Sequence, residues 1–171
     1  GFDNINTDLI AGLPTDTPES FKNSLDSIVR LNAECITVHT LCMKRASRLT
    51  TEGVTLDLQQ ARDAREMLAY TQNILGQNEY IPYYMYRQSR MVGNLENVGW
   101  SKKGFESLYN VYVMDETHTI LACGSGGVTK LKRNNPDYLE RIFNFKYPYE
   151  YIDRFDELIQ RKSGIMQFYG Q

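Results

Sequence analysis

A strand, a helix and a second strand follow one another directly at the start of this chain, and that succession limits its fold more than any other feature. Ile5 to Leu13 reads as a strand that breaks at Gly12-Leu13-Pro14. Thr17-Pro18-Glu19 has the form of a helix start, because a Thr hydroxyl accepts from free amides and Pro suits the first helical position. Phe21, Leu25, Ile28 and Leu31 recur at helical spacing, with Lys22, Asp26 and Arg30 on other faces, and Asn32 can end the helix. Cys35-Ile36-Thr37-Val38-His39 is short and rich in β-branched residues, which predicts a strand. Such a unit implies a parallel strand pair with a right-handed crossover.

The rest of the chain mixes helices with short strands. Met43 to Val54 is polar and irregular, which predicts a long loop. Asp57 or Thr55 can cap a helix from Leu58 to about Leu75, with Ala61, Ala64, Met67, Leu68, Thr71 and Leu75 as its buried stripe and Gly76 as its stop. Ile81 to Arg87 is extended and aromatic, and Met91 to Trp100 reads as a loop because it holds Gly93-Asn94 and Gly99. The alternation of Tyr109, Val111 and Val113 predicts a strand, with a short helix as the alternative. Asn135-Pro136 is expected to start a helix running to about Phe145, and a last helix covers Tyr149 to Lys162. The expected division falls near residue 55, with an α/β part over 1–55 and a mixed α+β part over 56–171. A lone strand–helix–strand piece cannot cover both faces of a sheet. With no initiating Met, the chain reads as a piece of a longer protein.

Composition narrows the function. At 171 residues the chain can bury a core without staples. A net charge of −2 argues against nucleic acid as a partner, since phosphate binding needs clustered Lys and Arg. No run approaches the roughly 18 apolar residues of a membrane span, and the first residues carry no signal segment. Cys35, Cys42 and Cys123 are odd in number and widely spaced, which fits reduced thiols in a cytoplasmic protein better than disulfides or a metal site. Many of the aromatic residues, 12 Tyr and 7 Phe in all, cluster at 80–86 and 147–151, where they can pack a core or stack on a flat ligand.

Few residues announce chemistry. Asp8 sits inside an apolar strand, where an acid is costly without a partner. It either faces an active site, as polar groups at the ends of barrel strands do, or caps a neighbouring loop or pairs with a cation. Gly124-Ser125-Gly126-Gly127 lacks the Lys-Ser/Thr of a P-loop and reads as a turn that could also let backbone approach a ligand. His39 and His118 have no third ligand spaced to help them. There is no GxSxG elbow. The basic residues Lys44, Arg45 and Arg87 are solvated by default, and would suit carboxylates if they lined a cleft.

Taken in order, Asp8-Leu9-Ile10-Ala11-Gly12-Leu13-Pro14, Thr17-Pro18-Glu19-Ser20-Phe21, Ile36-Thr37-Val38-His39-Thr40-Leu41 and Tyr83-Tyr84-Met85-Tyr86-Arg87-Gln88 resemble the oxygen-independent coproporphyrinogen III oxidases. The likeness continues in Gly93 to Trp100, Tyr109-Asn110-Val111, Gly124 to Val128 and Arg141-Ile142-Phe143-Asn144. These are radical S-adenosylmethionine (SAM) enzymes with a partial (β/α)6 TIM-like barrel, a [4Fe–4S] cluster held by CxxxCxxC, and a C-terminal domain. The resemblance implies that the chain holds the last barrel strands and that C-terminal domain, without the cluster motif, so that its own cysteines bind no metal. It implies that Asp8 contacts the ribose of SAM, that backbone at Cys42 meets the adenine, and that Val128 is a further SAM contact. Ala122 and Cys123 stand where the family commonly has Gly. The implied reaction converts two propionates of coproporphyrinogen III to vinyl groups in porphyrin and haem biosynthesis, with an electron donor as partner; no residue of this chain is assigned a catalytic step. Charge alone suggests Lys44, Arg45 and Arg87 as clamps for the substrate's carboxylates. A haem chaperone-like homologue, or an inactive fragment that self-associates, are the alternatives.

Overall fold

In a computed structural model the described residues are 1–43, 57–87 and 91–170. They form two compact units, Gly1–Ser107 and Leu108–Gln171.

The first unit is built on β1 (Asn6–Ala11), α1 (Pro18–Leu31), β2 (Cys35–Thr40), α2 (Leu58–Gln77), β3 (Ile81–Tyr86) and β4 (Asn97–Ser101). β1 and β2 are parallel, with Asp8 opposite Thr37 and Ile10 opposite His39. β4 then runs antiparallel to β2, and β3 antiparallel to β4, giving the sheet order β1-β2-β4-β3. The helix starts follow the sequence. Thr17 accepts from Ser20 N while Ser20 Oγ accepts from Thr17 N, and Asp57 and Gln60 repeat this reciprocal cap on α2. Asn32 closes α1 in the left-handed region, which Asn tolerates.

Both helices lie on one face of the sheet. Phe21 and Leu25 of α1 and Met67 and Leu75 of α2 pack with Ala11, Ile36, Val38, Tyr80 and Trp100 into the main core. Burying each such large side chain is worth about 1.5–3 kcal/mol. Because strand side chains alternate, the residues between these face the other way. That second face carries Asn6, Asp8, Thr37, His39, Tyr84 and Tyr86, joined by the hydrogen bonds described below.

The second unit contains α3 (Leu108–Asp115), the antiparallel hairpin β5 (Val128–Asn134) and β6 (Asp137–Phe143), and three short helices, α4 (Pro148–Asp153), α5 (Phe155–Lys162) and α6 (Gly164–Tyr169). Leu131 and Thr129 of β5 are fully buried, as are Leu158 and Phe168 nearly so. The guanidinium groups of Arg154 and Arg161 each lie 4.2 Å from the centre of the Phe145 ring, and both bind Glu157.

By packing, the chain divides after Ser107, because α2, β3 and β4 complete the sheet that β1 and β2 begin. Several expectations are corrected. Met91 to Trp100 is not all loop: Asn97–Ser101 is the buried strand β4. Tyr109 to Met114 is helical, and no residue of α3 is fully buried to impose a strand period. Asn135-Pro136 is the turn of the β5–β6 hairpin, so the expected helix to Phe145 is instead β6. The last helix breaks at Arg154, between α4 and α5. The expected loop from Met43 to Val54 lies almost wholly outside the described residues.

Candidate active-site face

The candidate site is the helix-free face of the first unit's sheet. Asp8 projects from the middle of β1, its side chain 58% exposed. One carboxylate oxygen accepts from Asn6 Nδ2 at 2.7 Å, and the other lies 3.7 Å from Nε2 of His39 on β2. His39 Nδ1 is 3.1 Å from the hydroxyl of Tyr86 on β3. The side chain of Asn97, on the intervening strand β4, acts on the Tyr86 phenol as a hydrogen-bonding group that lowers its pKa against the larger effect of burial. Asn97 is almost fully buried and accepts from the backbone N–H of Thr40 at 2.6 Å. Burial pushes the Tyr86 phenol above its ordinary pKa, so it is a neutral donor at physiological pH.

A parallel row runs one register further along. Thr37 Oγ1 donates to Asn6 Oδ1 at 3.1 Å and is 3.2 Å from Tyr84 Oη. Burial raises the Tyr84 phenol likewise. Tyr84 reaches Thr37 across β4 because residue 99 is glycine. A Cβ there would come within 1.8 Å of the Tyr84 ring. The rings of Tyr84 and Tyr86 are stacked in parallel, 6.4 Å apart. At the β2 end of this face, Ile10, His39, Leu41, Cys42, Tyr86 and Asn97 line a cavity of about 320 Å3.

The expected site residues are distributed as follows. Asp8 stands on this face, and Cys42 lines the cavity that His39 shares with it, two residues beyond the end of β2. Arg87 follows β3 and is paired with Glu96 at 2.8 Å. Lys44 and Arg45 lie outside the described residues. Val128 belongs to the other unit, where it opens β5 opposite Phe143. The glycine-rich segment before it is a turn tied to its own unit. Gly126 N–H donates to Phe145 O at 2.7 Å, Asn144 Nδ2 to Gly124 O at 2.8 Å, and Lys162 Nζ to Ala122 O at 2.7 Å. A Cβ at Gly127 would press on Cys123 O at 3.0 Å and Asn144 Nδ2 at 3.1 Å, so the glycine serves local packing. Sequence reasoning set His39 aside and did not single out Tyr86 or Asn97. The available signal was local to β2, where Thr37 and His39 alternate with Ile36 and Val38.

An exposed carboxylate close to a cavity of this size fits a polyol or nucleoside group, since carboxylates accept from hydroxyls and polar and apolar residues share the cavity wall. An iron–sulfur cluster does not fit. Cys35 is buried, Cys42 half-buried and Cys123 in the other unit, none is in a disulfide, and no group of three ligating residues converges among the described residues. Among those residues no helix is long and apolar enough to cross a membrane.

The mixed α/β architecture is that of a solved enzyme. A structure of coproporphyrinogen III oxidase (HemN) from Escherichia coli, described as a radical SAM enzyme, superposes with a TM-score of 0.59 over 92% of this chain and 35% of that one. At 18% identity the likeness is one of fold. No family model matches the chain. Over 167 residues, 98% of its length, the chain is 37% identical to the oxygen-independent coproporphyrinogen-III oxidase-like protein HemZ of Bacillus subtilis (strain 168). The chain is thus similar to this oxygen-independent coproporphyrinogen-III oxidase-like protein, and it spans about a third of that relative's length, 33%.

Proposed function

We propose that this chain supplies the later strands of a radical SAM partial barrel, together with the family's C-terminal domain, to an oxygen-independent coproporphyrinogen III oxidase. The observation that carries the reading is the carboxylate of Asp8, exposed in the middle of β1 close to the cavity at Cys42, in a chain matched to the HemZ relative over 98% of its length. In this reading Asp8 accepts from the two ribose hydroxyls of SAM, and backbone at Cys42 meets the adenine. SAM and a [4Fe–4S] cluster held by a CxxxCxxC segment elsewhere in the enzyme would supply the radical chemistry for oxidative decarboxylation of two propionates to vinyl groups. The work of this chain is to bind and orient the nucleoside and to keep water from the reacting side chain. Arg87, Lys44 and Arg45 are the cations proposed for the substrate's carboxylates, the first at the cost of its pairing with Glu96.

The test joins this chain to the family's cluster-binding segment and measures SAM affinity and coproporphyrinogen III turnover anaerobically. Charge-assisted hydrogen bonds of this kind contribute about 1.5–3 kcal/mol. Asp8→Asn is therefore expected to weaken SAM binding about ten- to a hundred-fold with little change in melting temperature. Normal SAM binding with a sharply lowered melting temperature would assign Asp8 a structural role.

A further inference from the structure

The direction of every hydrogen bond behind His39 is dictated by one backbone amide. Thr40 N–H can only donate, so the Asn97 side-chain atom 2.6 Å away is its carbonyl oxygen. That turns the Asn97 NH2 toward Tyr86, where the hydrogen bond acts to lower the phenol's pKa, as a donor to the phenol oxygen does. With its oxygen accepting from Asn97, the Tyr86 hydroxyl donates its proton to His39 Nδ1, 3.1 Å away. A neutral imidazole that accepts at Nδ1 carries its proton on Nε2. Nε2 is the atom that faces Asp8 Oδ2 at 3.7 Å, within reach of a hydrogen bond after a small swing of either side chain. Asn6 holds the other oxygen of the same carboxylate.

We infer that Asn97, Tyr86 and His39 form a polarised relay, anchored on Thr40 N–H, that fixes His39 as the Nε2–H tautomer and makes it the positioning residue for Asp8. The relay crosses β4, β3 and β2 to reach β1, so it couples four strands to one carboxylate. The role is specific to a diol ligand. A carboxylate gripped between Asn6 and His39 keeps both oxygens in one plane, ready for two adjacent hydroxyls, whereas a free one turns about χ2. This step rests on the reading of Asp8 as a ribose-binding group.

The experiment uses the full 171-residue chain labelled with 15N-histidine, which contains only His39 and His118. His39→Gln assigns the signals, and the ring-nitrogen shifts above the imidazole titration report the tautomer. The expected state is Nε2–H in the parent chain. Asn97→Asp keeps an acceptor for Thr40 but removes the donor to Tyr86, so it should reverse the relay and move the proton to Nδ1. A parent chain in the Nδ1–H form, or an Asn97→Asp chain with an unchanged tautomer, overturns the relay. Binding of adenosine is then compared with binding of 2′,3′-dideoxyadenosine. His39→Phe and Tyr86→Phe should each cut the preference for the diol by about three- to tenfold, and His39→Gln, which keeps an N–H near the position of Nε2, should restore most of it. If Asp8→Asn abolishes the preference while His39→Phe leaves it intact, His39 does not position the carboxylate. If the parent chain has no preference, the ribose reading of Asp8 fails, and the tautomer result alone decides the relay.

Discussion

The ring of Tyr84 occupies the space that any side chain at residue 99 would need, its Cε1 only 1.8 Å from where a Cβ would stand. Gly99 lies directly opposite Tyr84 in the β3–β4 register, so the ring crosses β4 and its hydroxyl meets Thr37 on β2. Gly99→Ala must therefore drive the ring off the sheet and strand the buried Thr37 side. The expected cost is about 1–3 kcal/mol in urea unfolding, the range for overpacking. In a Tyr84→Ala background the same substitution should cost almost nothing, because the obstacle is gone. Equal costs in both backgrounds would show that the ring is not what excludes a side chain at residue 99.

The same pair explains where the sequence could be read and where it could not. β1, α1, β2 and α2 were legible because their signals are local: reciprocal caps at Thr17 and Asp57, and apolar spacing that matches one period. β4 was not, because Gly99 marks a turn in isolation and is a strand residue only under a ring supplied by β3. β6 was misread because Asn-Pro serves equally as a helix start and as a turn. Asp8 stood out as an acid in an apolar strand. Its companions His39, Tyr86 and Asn97 come from three strands whose order, β2-β4-β3, differs from their order in the chain, so no spacing along the sequence could join them.

The two reciprocal caps give a measurable prediction. Thr17 and Asp57 each satisfy an amide at a helix start, and Ser20 and Gln60 answer each of them. Thr17→Ala and Asp57→Ala are each expected to cost about 1 kcal/mol, within a range of about 0.5–2. Replacement by Ser at Thr17 or Asn at Asp57 should restore most of the loss in thermal melts.

Glu116 offers a pH-dependent test. Its Oε1 binds Lys130 at 2.8 Å and Arg141 at 2.6 Å, and these two cations face each other across the β5–β6 hairpin. Like charges directly opposite repel, and Glu116 bridges the two and relieves that repulsion. Hydrogen bonding to Lys130 first, and to Arg141, holds its carboxyl below the usual carboxylate range. A lowered folded-state pKa means stability that is present above the ordinary carboxylate pKa and lost as pH falls through the lowered one. Glu116→Gln should thus cost no more than about 1 kcal/mol near neutrality, since the carboxylate is more than a third exposed. The gap between parent and variant should close below about pH 4. A gap that persists or widens in acid would mean that charge is not the source of its contribution.

The outer edge of β1 leads to the last expectation. In the order β1-β2-β4-β3 the strand pairs, among the described residues, on one side only, with β2. Edge strands are usually protected by Pro, Lys or a bulge. β1 reads Asn6-Thr7-Asp8-Leu9-Ile10-Ala11, with neither Pro nor Lys, and its pairing with β2 runs without a register shift. Ile10 on it is exposed, and so is Leu31 at the end of α1. A second copy that lays its own β1 along this edge would satisfy backbone groups on both chains and cover apolar surface on both, and a two-fold pairing closes the assembly. The 171-residue chain is therefore expected to self-associate at micromolar concentration in light scattering. Ile10→Lys adds a charge to the edge at an exposed position, so it should weaken association without lowering the melting temperature. A mass of 19.8 kDa at every concentration would show that this edge recruits no second chain.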